Sequence, residues 1–103
     1  MTYDETLAHL RGLVGRHIAT MLDGAERGED AGLSVRVAGV LEEVSVGRIE
    51  GEDMALLHMH GGDVRFVLGR DEFSGAELHR RDDGESLLLM FGGATLFVTY
   101  DLP

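Results

Sequence analysis

The stretch Leu33-Ser34-Val35-Arg36-Val37-Ala38-Gly39-Val40-Leu41-Glu42-Glu43-Val44-Ser45-Val46 decides how this chain folds. Leu33, Val35 and Val37 share one parity, whereas Val40, Val44 and Val46 have the other, so the inside and outside of a strand exchange within it. The exchange falls at Ala38 and Gly39, and a strand that switches faces at a glycine bends or bulges there. Sheets that curl into small barrels need such a corner.

Upstream of this strand the period is helical. Thr2 with Glu5 forms a capping box, and Tyr3, Leu7, Leu10 and Val14 make one stripe, which predicts a helix over 3–14 ended by Gly12 and Gly15. After Gly15 the period becomes two: Ile18, Thr20 and Leu22 alternate with His17, Ala19 and Met21, and 23–32 reads as an acidic, Gly-rich loop. Downstream, Gly61-Gly62, Asp83-Gly84 and Gly92-Gly93 stand at hairpin spacing between short apolar runs. Consecutive hairpins give an antiparallel meander over 16–100, because parallel strands need crossovers that this chain has no room for. Phosphate-binding loops of parallel α/β folds are excluded with them.

The expected fold is therefore mainly β (α+β), one domain of 103 residues, with an N-terminal helix and a bent antiparallel meander forming a small barrel or strongly curled sheet. Leu87, Leu88, Leu89, Met90 and Phe91 do not alternate, so that strand is expected to be covered on both sides. One short helix cannot cover a whole sheet. A homo-oligomer contact is accordingly expected at Leu87, Leu89, Phe91, Leu96 and Val98.

Composition narrows the function classes. Apolar residues make up 44% and charged residues 27%, a globular balance, and 19 acidic against 9 basic residues give a net charge of -10. Phosphate neutralisation dominates nucleic-acid affinity, so nucleic acid is not an expected partner. No apolar run approaches the length that spans a bilayer and Met1 to Leu10 lacks a signal-peptide pattern, so a cytoplasmic protein without a membrane partner is expected. Without cysteine there is no disulfide framework, thiolate metal site or cysteine nucleophile.

The order helix, strand, long strand bent at glycine, then meander resembles the Sm-like or SH3-like small β-barrel, and Val37-Ala38-Gly39-Val40-Leu41-Glu42-Glu43-Val44 resembles the first Sm motif. The resemblance implies a barrel and assembly into rings through strand edges. It does not extend to RNA binding: Ala55 follows Met54 where the family has Asn, and Leu68-Gly69-Arg70 reverses the Arg-Gly order of the second motif.

Local chemistry is sparse. His58 and His60 lie two apart, which on a strand points both imidazoles to one side, and Asp63 could add a carboxylate to a shared metal ion. The pair resembles the cupin His-x-His, but the Glu that should follow and the second cupin motif are missing. The polar loop Arg70 to Gly75 reads as a connector, and Asp82-Asp83 offset His79-Arg80-Arg81. Ser34, Ser45, Ser74 and Ser86 have no nucleophile-elbow context, so no catalytic residue and no cofactor are assigned.

The favoured function is a non-catalytic protein-binding or self-assembly module. The alternative is an acidic inhibitor or immunity-like protein that blocks a basic partner through Glu26, Glu29, Asp30, Glu42, Glu43, Glu50, Glu52 and Asp53. A metal-dependent enzyme using His58 and His60 is the third reading.

Overall fold

A capping box starts the helix that opens the chain. In this computed structural model, which describes residues 1–24 and 33–102, the Thr2 hydroxyl accepts from the Glu5 N–H at 3.1 Å while the Glu5 carboxylate accepts from the Thr2 N–H at 2.8 Å. Hydrogen bonding to the carboxylate from the Thr2 backbone N–H, and then from the Thr2 hydroxyl, holds the Glu5 carboxyl below its ordinary value. Helix α1 spans Tyr3–Arg11 and is capped at Gly12, three residues earlier than the stripe predicts. Tyr3, Thr6, Leu7 and Leu10 are buried. Val14, expected on the same stripe, lies in the turn after the helix and is exposed; Leu13 is buried instead.

Among the described residues seven strands follow: β1 (His17–Gly24), β2 (Leu33–Ile49), β3 (Glu52–Met59), β4 (Val64–Gly69), β5 (Phe73–Arg80), β6 (Gly84–Phe91) and β7 (Ala94–Asp101). Every pairing is antiparallel, and the order across the sheet is β4-β3-β2-β1-β7-β6-β5. Among the described residues the fold is thus mainly β with one α-helix, at the N-terminal end, and the sheet is not closed. Among the described residues no helix is long and apolar enough to cross a membrane.

The long strand β2 belongs to two sub-sheets. Residues from Leu33 to Val40 pair with β1, and those from Leu41 to Ile49 pair with β3. Between the two the register shifts, Leu41 opposing Met59 and Glu43 opposing His58, so Glu42 is the extra residue of a bulge. The face exchange therefore falls at Glu42, and the expectation of a corner at Ala38-Gly39 is corrected. Those two residues pair regularly with Ala19 and Ile18. Gly39 answers a different need: a Cβ there would stand 2.9 Å from Nε2 of His60.

Hairpins join the second half as the glycines predict, with one addition. The β2–β3 turn is made by Glu50 and Gly51, both at positive φ (53° and 83°), the conformation a two-residue hairpin turn requires. Gly84 serves close approach and not a turn, because a Cβ on it would meet the Tyr100 carbonyl oxygen across the β6–β7 ladder.

Topology forces the sheet to curl. Strands β4 and β5 are its two edges, six inter-strand steps apart, which in a flat sheet is about 29 Å. The chain between Gly69 and Phe73 can span only about 14 Å, so the edges must swing toward each other. Helix α1 sits at this seam. The Tyr3 hydroxyl donates to the Leu68 carbonyl of β4 at 2.5 Å, the Met1 amine donates to the Ala76 carbonyl of β5 at 3.2 Å, and Tyr3 packs edge-on against Phe73. Inside the curl, Ile18, Leu41, Leu57, Met59, Leu87, Leu89, Leu96 and Val98 are all but sealed from solvent.

Candidate interaction surface

Register places Leu87, Leu89, Leu96 and Val98 side by side on the inner face, Leu87 against Val98 and Leu89 against Leu96. All four are at most 1% exposed in a single chain, and Phe91 packs against the same core. The expected homo-oligomer contact is therefore corrected for Leu87, Leu89, Leu96 and Val98, which are closed off within a single chain, whereas Phe91 is half-buried. The absence of alternation in 87–91 reflects a strand apolar on both sides, and the accessible side belongs to Leu88 and Met90.

That outer side carries a row which sequence reading missed. Arg36 pairs with Met21, Met21 with Phe97, Phe97 with Leu88, and Leu88 with Glu77, so five side chains stand abreast across β2, β1, β7, β6 and β5. The three central ones are apolar and half-buried, and the two ends are exposed and oppositely charged. Beside the row, Ala19 and Ala38 leave room for a shallow groove of about 500 Å³ bordered by Met21, Arg36, Phe97 and Thr99. The run Leu96-Phe97-Val98 carried the signal, since three consecutive apolar strand residues must place one on the far side.

The predicted metal residues are placed apart. His58 lies on the outer face, where its Nε2 shares a hydrogen bond of 2.8 Å with the Ser45 hydroxyl. Strand β3 ends at Met59, His60 takes a φ of 54° to enter a short 3-10 turn over His60–Gly62, and its Nε2 donates to the Ala38 carbonyl at 2.8 Å. The same-side placement expected of the pair does not form, because it required the strand to continue. Asp63 caps the turn through its backbone and is exposed. Among the described residues no three His, Asp or Glu side chains come together as a metal-binding group.

The predicted acidic surface is divided. Glu42 and Glu43 lie at the bulge, whereas Glu50, Glu52 and Asp53 surround the β2–β3 turn, about 23 Å of strand away. Glu42 accepts from the Gly61 N–H at 2.8 Å, and Asp53 is shared by Arg48 and Arg70, each at 3.3 Å. Glu26, Glu29 and Asp30 lie outside the described residues.

A polar network centred on the buried Glu85 and Tyr100 joins helix to sheet. Tyr100 of β7 donates to the Glu85 carboxylate of β6 at 3.0 Å, which leaves its oxygen to accept from Nε2 of His9 at 2.6 Å, and Arg80 binds Glu85 at 2.7 Å. Burial and then the Glu85 hydrogen bond push the Tyr100 hydroxyl up to about 12. Burial acts to raise Glu85, but the hydrogen bonds from Tyr100 and Arg80 together outweigh it and hold the carboxyl below its ordinary value. Every member is bonded to another, so the network fixes α1 against β6 and β7. No protein family, curated protein or solved structure shows a significant match to this chain.

Proposed function

We propose that this chain is a non-catalytic protein-binding module that associates with a second copy of itself through the outer face of β1, β7 and β6. The observation that carries the reading is the row Arg36, Met21, Phe97, Leu88, Glu77. Two sheets packed face to face exclude water from such a row, and a two-fold axis along β7 lays Arg36 of one copy opposite Glu77 of the other. The perpendicular axis would oppose Arg36 to Arg36, so charge selects one of the two arrangements.

The finer fold that goes with this reading is a small barrel whose seam is filled by α1 and not by a strand ladder. The short β4–β5 link and the Tyr3 and Met1 hydrogen bonds support it. A cleft of about 270 Å³, bordered by Arg65 and Phe66 of β4 and by Phe91 and Ala94 of the β6–β7 hairpin, marks the part of the seam left open. Assembly by edge pairing, which an Sm-like relationship would bring, is disfavoured because Tyr3 of α1 and the Met1 amine already bind the Leu68 and Ala76 carbonyls of the two edges.

Light scattering across a micromolar concentration series tests the function. A dimer that persists in high salt is expected, because the centre of the contact is apolar. A monomer at every concentration overturns the reading.

A further inference from the structure

Val46 breaks the pattern of its own strand. It pairs with Ala55, which is fully buried, so both point to the inner side of the sheet, yet Val46 is 58% exposed. No other large apolar side chain in the described residues is more exposed. The inner face is uncovered here at one side of α1, where Tyr3, Asp4, Leu7 and Arg11 line a cleft of about 490 Å³ together with residues of β2 and β3. That volume is in the range of small-molecule sites, roughly 300–1,000 Å³.

The cleft has two kinds of wall. Leu7, Val46 and Met54 supply an apolar floor, whereas Arg11, Arg48 and Arg70 stand around it, one third of the nine basic residues in a chain of net charge -10. Asp4 and Asp53 also line it, but both are taken up: Asp4 by Arg70 at 2.8 Å, and Asp53 by Arg48 and Arg70. Arg70 is further held over the Tyr3 ring, 4.6 Å from its centroid, and the Asp4 hydrogen bond keeps its guanidinium firmly protonated. Arg11 makes no ion pair among the described residues. Three guanidiniums against two carboxylates leave one positive charge beside an apolar floor, and that combination complements a molecule with one anionic head and a hydrocarbon body.

We propose that this cleft binds a monoanionic amphiphile, a linear alkyl carboxylate, with the carboxylate at Arg11 and Arg48 and the chain along Leu7, Val46 and Met54. The site lies on the inner side of the sheet and is independent of the outer-face association. Its ligand is distinguished from a bare anion by the floor and from a bare alkyl chain by the arginines.

Sodium octanoate, octan-1-ol and sodium acetate, each titrated at millimolar concentration into the full chain, test this through the methyl resonances of Leu7, Val46 and Met54. Octanoate is expected to give saturable shifts, with octanol and acetate each about tenfold weaker or more. Arg11→Gln should weaken octanoate by about tenfold and leave octanol unchanged, and Val46→Ser should weaken both. A urea midpoint unchanged in Arg11→Gln shows that the fold is intact. No saturable shift with octanoate, equal affinity for octanol, or full affinity in Arg11→Gln each overturns the proposal.

Discussion

The imidazole of His60 occupies the space that a side chain on Gly39 would need, and from there its Nε2 donates to the carbonyl of Ala38. The first loop after β3 is thereby pinned to the middle of β2, across 22 residues of sequence. Gly39→Ala would put a methyl group 2.9 Å from Nε2 and push the ring off its acceptor, at a cost of about 1 kcal/mol. In a His60→Ala background the same change meets no ring and should be neutral or mildly stabilising, since alanine restricts the unfolded chain more than glycine does. Urea denaturation of the four proteins measures the coupling, and additive effects would show that the ring does not fill that space.

Leu87 and Leu88 are adjacent, yet they stand on opposite sides of β6. Leu87→Ala should cost about 2–5 kcal/mol, the range for a fully buried leucine. Leu88→Ala, from a half-buried outer position, should cost about 1 kcal/mol or less. Similar losses in denaturant unfolding would mean that the register of the β6–β7 ladder is shifted by one residue.

Both tyrosines are held neutral by burial, Tyr3 above its ordinary value and Tyr100 at about 12. A raised hydroxyl contributes stability that is complete below pH 10 and is lost as pH rises through the folded value. For Tyr100 the loss is about 2–3 kcal/mol between pH 10 and 12. Phenolate absorbance near 295 nm should therefore stay low at pH 10 and rise together with loss of strand circular dichroism. Half-titration of the tyrosines at pH 10 with the fold intact would contradict the buried network.

Glu85 titrates in the opposite sense. Its folded value is depressed, so its contribution is present above the ordinary carboxylate range and is lost as pH falls below it. Acid unfolding followed by circular dichroism should be less steep below pH 4.5 in Glu85→Gln than in the parent chain, although the variant is less stable at pH 7. An unchanged acid profile would remove Glu85 from the account.

Sequence reading and structure agree where a feature is local. The Thr2–Glu5 capping box, the alternation of Ile18, Thr20 and Leu22, and the glycine dipeptides depend on neighbours a few residues away, and each appears as a cap, a face or a hairpin. They part where a distant partner decides. Gly39 looks like a corner until His60 is placed over it, and the actual bulge at Glu42 is visible only once β3 is laid beside β2. Which side of 86–98 faces the core is not legible in the sequence, because apolar character on both faces erases the period-two signal that orients a strand. The cleft beside α1 was invisible because its parts are distant in sequence: Leu7, Val46 and Arg11 meet only through the curl of the sheet.

Phe97 stands at the centre of the outer row, and its neighbours Met21 and Leu88 flank it without help from the core. Phe97→Glu places a charge there while leaving every inner residue in place. Sedimentation equilibrium of the parent chain and this variant, with urea midpoints recorded on both, tests the proposed association most directly. The account predicts a dimeric parent and a monomeric variant of similar fold stability; a parent that is monomeric, or a variant that dimerises as strongly as the parent, would contradict it.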